Sequence, residues 1–304
     1  MNRKRILVVG SSNTDMTVRA ATLPKPGETV LGDNFHMGPG GKGANQAVAA
    51  RRLGGDVIFV CKLGNDLFGN NAKEHYRACG LDTSYMLTSD KPSGVALITV
   101  DAKAENSIVV ASGSNADITV EDIDSMKDII ASSGILLLQL EIPMEAVTRA
   151  ANIAFDAGVK VILNPAPAAA LPDELLRCVS ILIPNETEAA ALSGVEITDM
   201  KTSSIAATEL KKKGVKEVVI TMGAKGSIVF DGTSTFIPAR KVNAVDTTAA
   251  GDTFCGGVCV ALSEGKDLLD AVRFATVASS LAVQRQGAQD SVPDRLEVDN
   301  ILNQ

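Results

Sequence analysis

The chain has 304 residues, of which 45% are hydrophobic and 21% charged, and its formal net charge at pH 7 is −7. This composition predicts a globular protein with a substantial core, and the acidic balance argues against nucleic acid as a partner. No apolar run approaches the roughly 18 residues that a membrane span needs. The N-terminus passes from basic residues directly into "ILVVG", without the pattern of a signal peptide. We therefore expect a cytoplasmic protein with no membrane partner.

The predicted elements alternate between strands and helices along most of the chain. The predicted strands are 5–10, 56–64, 134–142, 159–166, 180–185 and 217–223. The predicted helices are 42–53, 144–157, 172–179, 186–193, 203–213, 250–264 and 268–284. Near-continuous apolar strands separated by helices indicate a mostly parallel sheet covered on both faces, which is a three-layer α/β/α fold. Ligands of such sheets bind just beyond the carboxyl ends of the strands.

Two insertions depart from this alternation. Residues 15–38 and 93–112 predict short antiparallel strands with turns, and "ALITVDAKAENSIVV" has the pattern of a hairpin. We expect them to form a small β lid beside a core domain of residues 1–14, 39–92 and 113–304. Because an exposed small sheet tends to pair, the lid is expected to join two copies of the chain in a homodimer.

The five cysteines and two histidines are too scattered for a zinc site or a disulfide framework. Cys255 and Cys259 lie four residues apart on one predicted helix face, which is more typical of core packing than of metal binding. Neither His36 nor His75 stands in the setting of a histidine-dependent hydrolase.

A glycine-rich segment, "GPGGKGANQA" at residues 38–47, predicts a tight turn that opens a helix. It is not a dinucleotide fingerprint, because no clear buried strand leads directly into it. It is not a Walker A loop either, because Gly43 stands where a Ser or Thr would follow Lys42. A simple turn explains the glycines but not the lysine among them. The glycines allow close backbone approach, and Lys42 and Asn45 supply hydrogen-bonding groups, so the pattern favours a hydroxylated ligand.

Other polar side chains follow predicted strands. Asn13 and Asp15 in "GSSNTD" could donate to and accept from vicinal hydroxyls. Glu141 ends "QLE", and Asn185 and Glu188 lie in "PNETE", where acids and amides suit a hydrated Mg²⁺ ion. The segment "TMGAKGS" repeats the passage from a strand to a glycine loop and could cradle nucleotide phosphates.

The segment "VDTTAAGDTFCGG", residues 245–257, crowds acids, threonines and small residues before an apolar helix. The first N–H groups of a helix lack intrahelical partners and bind anions readily. Asp and Thr are also ordinary capping residues, so this segment alone leaves both interpretations open.

Together these segments resemble the ribokinase/PfkB family of carbohydrate kinases. "GGKGANQAVAA" is similar to the N-terminal signature of that family and "DTTAAGDTFCGG" to its C-terminal signature. "GSSNTD", "QLE", "NPAPA", "PNETE", "TMGAKG" and "GAQDSVP" follow in the same order as in the family, so the resemblance covers essentially the whole chain. It implies a ribokinase-like fold and ATP-dependent phosphorylation of D-ribose at its 5-hydroxyl. The alternatives are a kinase of 2-deoxyribose, a nucleoside or another sugar, and a non-catalytic sugar or nucleotide sensor.

The resemblance also implies roles for particular residues. Asp252 would be the catalytic base, and the N–H groups of Ala249, Ala250 and Gly251 would form an anion hole for the migrating phosphoryl group. As a first-turn carboxylate, Asp252 is expected to be a weak base whose anion the helix dipole favours. The sugar site would comprise Asn13, Asp15, Gly40, Gly41, Lys42, Asn45, Glu141 and Asp252. The nucleotide site would comprise Asn185, Thr221, Gly223, Ala224, Lys225, Gly226, Gly251 and Thr276.

Two cations follow from the same resemblance. Mg²⁺ would lie in the environment of Asn185 and Glu188. A monovalent cation, usually K⁺, would sit beside the anion-hole turn, held by Asp246, Ser291 and the carbonyl groups of Thr248, Ala282, Arg285 and Gly287. Since the chain has no Trp and only two Tyr, we expect hydrogen bonds to each hydroxyl, rather than aromatic stacking, to select the sugar.

Overall fold

The computed structural model describes residues 4–103 and 105–304. The strands, in chain order, are β1 Ile6–Val9, β2 Asn13–Ala20, β3 Gly32–Gly40, β4 Val57–Val60, β5 Lys62–Gly64, β6 Leu87–Ser89, β7 Gly94–Val100, β8 Asn106–Ala111, β9 Ile135–Leu138, β10 Lys160–Leu163, β11 Ile181–Leu182, β12 Glu217–Thr221, β13 Gly226–Phe230 and β14 Ser234–Pro238. The α-helices are α1 Lys42–Arg52, α2 Leu67–Ala78, α3 Val120–Ser125, α4 Lys127–Ala131, α5 Met144–Asp156, α6 Asp173–Cys178, α7 Glu186–Ser193, α8 Met200–Lys212, α9 Ala250–Ser263, α10 Leu268–Ala282 and α11 Arg295–Leu302.

The central sheet has eight strands in the order β14-β13-β12-β11-β10-β9-β1-β4. The six strands from β4 to β12 in this order pair in parallel, and β13 and β14 continue the sheet antiparallel. Alternate residues of β1 enter two different cores: Ile6 and Val8 pack in one with α1, α9 and α10, whereas Leu7 and Val9 pack in the other with α5 and α8. Both faces of the sheet are therefore covered, which confirms the three-layer α/β/α prediction.

The two insertions lie in a separate four-stranded sheet of order β3-β2-β7-β8. The pairs β2–β3 and β7–β8 are antiparallel hairpins, as the patterns predict. The central pair β2–β7 is parallel, with Asn13 opposite Gly94, so the expectation of antiparallel strands was wrong for this pair. The first strands of the two hairpins run side by side in the same direction, which local patterning cannot reveal.

Several element boundaries differ from the sequence predictions. The predicted strand 56–64 is two strands, because β4 ends at Val60 and β5 pairs with β6 in a small sheet of its own. Asn13 and Asp15 lie within β2 rather than in a turn beyond β1. The predictions also omitted α2, α3, α4 and α11. Within the described part of the chain, no helix combines the length and apolar character needed to cross a membrane.

Candidate active site

The start of α9 has an unusual backbone. Ala249, the residue before the helix, has a φ of 56°, in the left-handed region that side chains other than glycine rarely adopt. The N–H group of Ala250 donates to the carbonyl of Thr247 at 3.2 Å, so the structure uses this amide to close the turn. An ideal Cβ on Gly251 would meet no heavy atom within 4 Å, and Ala250 and Gly251 both line a cavity of about 620 Å³. The beginning of α9 therefore faces open space.

The carboxylate of Asp252 lies in the first turn of α9, only 8% exposed, and accepts a hydrogen bond on each oxygen. Asn45 Nδ2 donates to Oδ2 at 3.0 Å, and Gln46 Nε2 donates to Oδ1 at 2.9 Å. This contact requires α1 and α9 to approach closely. The two helices approach each other at Gly256, where an ideal Cβ would lie 2.8 Å from the backbone nitrogen of Ala50. Sequence reasoning missed Gln46, although it belongs to the same "GGKGANQ" signature as Asn45.

Burial is the main influence on the proton affinity of Asp252. It raises the pKa of this carboxyl, while the charge of Lys42 and the hydrogen bonds from Asn45 and Gln46 act in the opposite direction. The expectation that Asp252 is a weak base was therefore wrong in direction, because it left burial out of account. Burial opposes the charge of Lys42 as well, but Asp252 and Glu141 outweigh it and raise the lysine pKa.

A second cavity, of about 300 Å³, contains part of the predicted sugar site. Asn13 and Glu141 line it, as does Asn115, which sequence reasoning missed. Asn115 Nδ2 donates to Asn13 Oδ1 at 2.7 Å, and Asn115 Oδ1 accepts from the N–H of Ser12 at 2.9 Å. In the sequence, Asn115 stands out only as a polar residue that soon follows the second insertion. Its contact fixes the amide of Asn13 with Nδ2 as the free donor.

Glu141 lies beyond the end of β9 and is tied to the glycine-rich turn. Its Oε2 accepts from the N–H of Lys42 at 2.9 Å and from Ser11 Oγ at 2.6 Å. Asp15 lies close to the same turn, because an ideal Cβ on Gly40 would be 2.1 Å from Asp15 Oδ1. Burial, together with the charges of Glu141 and Asp252, raises the pKa of Asp15 to about 6. The turn before α1, with Gly41 at a φ of 87°, thus lies beside Asp15 and Glu141 of the predicted sugar site.

The larger cavity contains most of the predicted nucleotide residues. Those lining it are Asn185, Thr221, Gly223, Ala224, Gly226, Gly251 and Thr276. Lys225 is not among them, and its Nζ pairs with Glu186 Oε1 at 2.9 Å. Sequence reasoning missed the wall formed by Arg240, Lys241, Val242, Ala244, Ser279, Ser280 and Val283. Residues 240–244 follow the antiparallel edge strand β14, which the predicted alternation did not include.

Asn185 and Glu188 form a reciprocal capping box at the start of α7. Asn185 Oδ1 accepts from the N–H of Glu188 at 2.8 Å, and Glu188 Oε2 accepts from the N–H of Asn185 at 2.9 Å. Burial raises the pKa of Glu188, while the hydrogen bond from the N–H of Asn185 and the charge of Lys42 act in the opposite direction. Within residues 4–103 and 105–304, no three His, Cys, Asp or Glu side chains form a metal-binding group.

Three of the residues predicted to hold a monovalent cation, Asp246, Thr248 and Gly287, are joined by hydrogen bonds between two loops. Asp246 Oδ1 accepts from the N–H and the hydroxyl of Thr248, at 2.9 and 2.6 Å, and Asp246 Oδ2 accepts from the N–H of Gly287 at 3.0 Å. Burial alone would raise the pKa of Asp246, but the hydrogen bonds from Thr248 and Gly287 outweigh it and lower the pKa. Ser291 is fully buried, and the side chain of Arg285 pairs with Glu297.

The chain is similar to known proteins over nearly its whole length. Residues 3–295 match the family described as pfkB family carbohydrate kinase. The chain is 46% identical to a ribokinase of Haemophilus influenzae over 97% of both chains. It is 36% identical to a deoxyribokinase of Salmonella typhi over 95% of both chains. It is also similar to a structure of Arabidopsis thaliana ribokinase complexed with ribose and ATP, with a TM-score of 0.91, 35% identity and 100% of both chains covered.

The sheet topology and the cavity at the start of α9 are those of an α/β enzyme. The chain belongs to the pfkB family of carbohydrate kinases, since the match spans nearly its whole length. The family resemblance and the fold inferred from the sequence motifs are thereby confirmed.

Proposed function

We propose that the protein is a ribokinase, which transfers the γ-phosphoryl group of ATP to the 5-hydroxyl of D-ribose. The observation that carries this proposal is the position of Asp252. Its carboxylate lies in the first turn of α9, whose start lines the larger cavity, and it is bonded to Asn45 in the helix that begins at the sugar residues. High identity over full length to a ribokinase supports the same assignment.

Asp252 would accept the proton of the sugar hydroxyl, and the amides of Ala249 and Gly251 would hold the migrating phosphoryl group, since the amide of Ala250 closes the turn on Thr247. Phosphoryl transfer depends mainly on positioning and on stabilisation of charge, so a carboxylate fixed on both oxygens suits this role. Burial strengthens Asp252 as a base without removing the counter-charge of Lys42. ATP would occupy the larger cavity, with its phosphates directed to the start of α9.

The smaller cavity favours ribose over 2-deoxyribose. Asn13 offers a free N–H donor because Asn115 takes its oxygen, and Asp15 offers an acceptor two residues along the same face of β2. A donor and an acceptor placed side by side match two vicinal hydroxyls. A site built for a hydroxyl rejects the analogue that lacks it strongly, because its polar groups then stay unpaired. The remaining predicted sugar contacts would come from Gly40, Gly41, Lys42, Asn45 and Glu141.

The residues present fit both cations that the family implies. Asn185 and Glu188 would hold Mg²⁺ through water, because the capping bonds leave Oε1 of Glu188 and one lone pair on Oδ1 of Asn185 as acceptors. Mg²⁺ would neutralise phosphate charge. The oxygens of Asp246 and Ser291, with the carbonyls of Thr248, Ala282, Arg285 and Gly287, would hold K⁺. Since Asp246 joins its own loop to Gly287, these residues would order the turn that leads into α9.

We propose that two copies of the chain form a homodimer through one face of the four-stranded sheet. Met37, Met16, Leu97 and Val109 lie in this order across the sheet. Met37, Leu97 and Val109 are 45%, 54% and 64% exposed, and Phe35, two residues from Met37 on β3, is 64% exposed. By strand alternation this face is opposite to that of Asp15. Such an exposed apolar patch is typical of a protein interface. Residues 15–38 and 93–112 would then serve as lid and dimer element beside the core domain of residues 1–14, 39–92 and 113–304.

A coupled kinase assay with ribose, 2-deoxyribose and nucleosides, with and without K⁺, tests the assignment. We expect kcat/KM for ribose to exceed that for 2-deoxyribose by about 100-fold. Equal or better use of 2-deoxyribose would overturn the choice of sugar. Protein that binds ribose in calorimetry but never consumes ATP would instead indicate a sensor.

A further inference from the structure

We propose that Gln46 is a positioning residue that holds the Asp252 carboxylate in one orientation and favours its ionised form. The inference rests on the proposed role of Asp252 as the base. Gln46 is fully buried, whereas Asn45, which binds the other carboxylate oxygen, belongs to the proposed sugar site. Gln46 therefore acts on Asp252 without being placed to touch either ligand.

The orientation of the Gln46 amide is fixed by its own partners. Its Oε1 accepts from Gln139 Nε2 at 2.6 Å, and its Nε2 donates to Asn164 Oδ1 at 3.0 Å as well as to Asp252. Asn164 Nδ2 in turn donates to the carbonyl of Ile183 at 2.9 Å. Turning any one of these amides would set donor against donor or acceptor against acceptor. The N–H group that meets Asp252 is thus directed by a network anchored at the ends of the central strands.

The donor to the other carboxylate oxygen, Asn45, is also held in place by hydrogen bonds. Asn45 Oδ1 accepts from Gln289 Nε2 at 3.0 Å, and Gln289 Oε1 bonds to His75 Nε2 at 2.8 Å. Both carboxylate oxygens therefore face amide donors that are themselves held in place. A base in this setting needs no reorganisation when the substrate hydroxyl arrives.

Charged groups around Asp252 explain why such a donor matters. The positive charge of Lys42 favours the carboxylate anion, whereas nearby negative groups oppose it. The titratable groups that act on Asp252 are Lys42, Asp15, Glu141 and Glu188 from other elements and Cys255 from α9 itself. With burial also opposing the charge, the hydrogen bonds from Gln46 and Asn45 join Lys42 in keeping Asp252 ionised.

The test compares Gln46→Met with wild type, since methionine has a similar volume but no N–H donor. The free energy of unfolding is measured against pH for each protein and for the same protein carrying Asp252→Asn, and the difference reports the native pKa of Asp252. We expect Gln46→Met to raise that pKa by about one unit. The acid limb of kcat/KM should move to higher pH by the same amount, with kcat lowered about tenfold near pH 6 and each KM changed less than about threefold.

Gln139→Met is the matched control, because it removes an equally buried amide one hydrogen bond further from Asp252. It should destabilise the fold comparably and shift the pKa of Asp252 by less than half as much. An unchanged pKa in Gln46→Met, or equal shifts in the two variants, would overturn the inference. If Gln46→Met does not fold, Gln46→Glu replaces it, and a second carboxylate should raise the pKa further. Since unfolding needs no turnover, a wild type without kinase activity would refute the proposed function while leaving this test valid.

Discussion

The side chain of Asn115 donates to Asn13 Oδ1 at 2.7 Å although the two residues are 102 positions apart in the chain. The same Asn115 bonds both the N–H and the carbonyl of Ser12, so it clamps the backbone that leads into β2. Asn13 can therefore present only its Nδ2 to a ligand in the smaller cavity. A residue that came from outside the recognised motifs thus sets the donor pattern of the sugar site.

Asn115→Asp should weaken recognition of ribose. The aspartate still accepts from Ser12 but repels Asn13 Oδ1, so Asn13 turns its oxygen towards the sugar. We expect KM for ribose to rise about tenfold or more and discrimination against 2-deoxyribose to fall, with KM for ATP unchanged. Steady-state kinetics with both sugars measure this. The control is Asn106→Asp, in the exposed strand β8 of the four-stranded sheet. Unchanged selectivity in Asn115→Asp would contradict the assigned role.

The grouping of the site residues could be predicted from sequence because it follows from the fold. Apolar strands separated by helices specify a parallel sheet, and polar residues such as Glu141 and Asn185 follow strand ends at one edge of it. The partners of those residues could not be predicted in the same way. Gln46 meets Asp252 across 206 positions, and only the packing of α1 on α9 at Gly256 decides which amide reaches the carboxylate.

Other features of the fold could not be predicted from local sequence patterns. Helices α3 and α4 have six and five residues, too few for an amphipathic period to stand out. The parallel pairing of β2 with β7 depends on how two separate hairpins meet, whereas each hairpin alone is antiparallel. The direction of the pKa shift of Asp252 depends on burial, which a motif does not report.

Asp15→Asn should stabilise the fold while removing a sugar contact. Because the native pKa of Asp15 is raised to about 6 from 3.8, its ionised form is disfavoured in the folded state. The penalty is fully present above pH 6 and disappears as pH falls below the unfolded value. We expect Asp15→Asn to raise the free energy of unfolding by on the order of 1–2 kcal/mol at pH 8 and by much less at pH 4.

Denaturant titrations of Asp15→Asn at several pH values measure this difference. The exposed Asp33→Asn in β3 serves as the control and should show no comparable gain at pH 8. Ribose binding followed by calorimetry should fall in Asp15→Asn alone. A gain in stability that is the same at pH 4 and pH 8 would rule out the ionisation of Asp15 as its cause.

Leu97→Asp should disrupt the proposed dimer without disturbing the fold. Leu97 lies within the exposed apolar row, 54% exposed, between Met16 and Val109 on the face opposite to Asp15. A buried, unpaired carboxylate in an interface is strongly unfavourable. Light scattering should give a dimer for wild type and a monomer for Leu97→Asp, with similar circular dichroism spectra. Leu296→Asp, on the 74% exposed Leu296 of α11, should remain dimeric. A wild type that is monomeric with ligands bound would refute the interface.

Two glycines of α9 should respond to alanine in opposite ways. At Gly256 a Cβ would lie 2.8 Å from the backbone nitrogen of Ala50, so Gly256→Ala must push α1 from α9 and should lower the free energy of unfolding by about 1–3 kcal/mol. At Gly251 a Cβ meets no heavy atom within 4 Å and enters the larger cavity. Gly251→Ala should therefore leave stability unchanged or raise it by about 0.5 kcal/mol.

Activity should separate these two variants as well. The new methyl group of Gly251→Ala would occupy space proposed for the ATP phosphates, so kcat/KM for ATP should fall at least about 100-fold in a protein of full stability. Thermal unfolding and coupled kinase assays on both variants measure the two effects. In Gly256→Ala, any loss of activity should result from displacement of the contact between Gln46 and Asp252. That loss should appear at every ATP concentration. Full ATP turnover in a stable Gly251→Ala would show that the phosphates bind away from the start of α9.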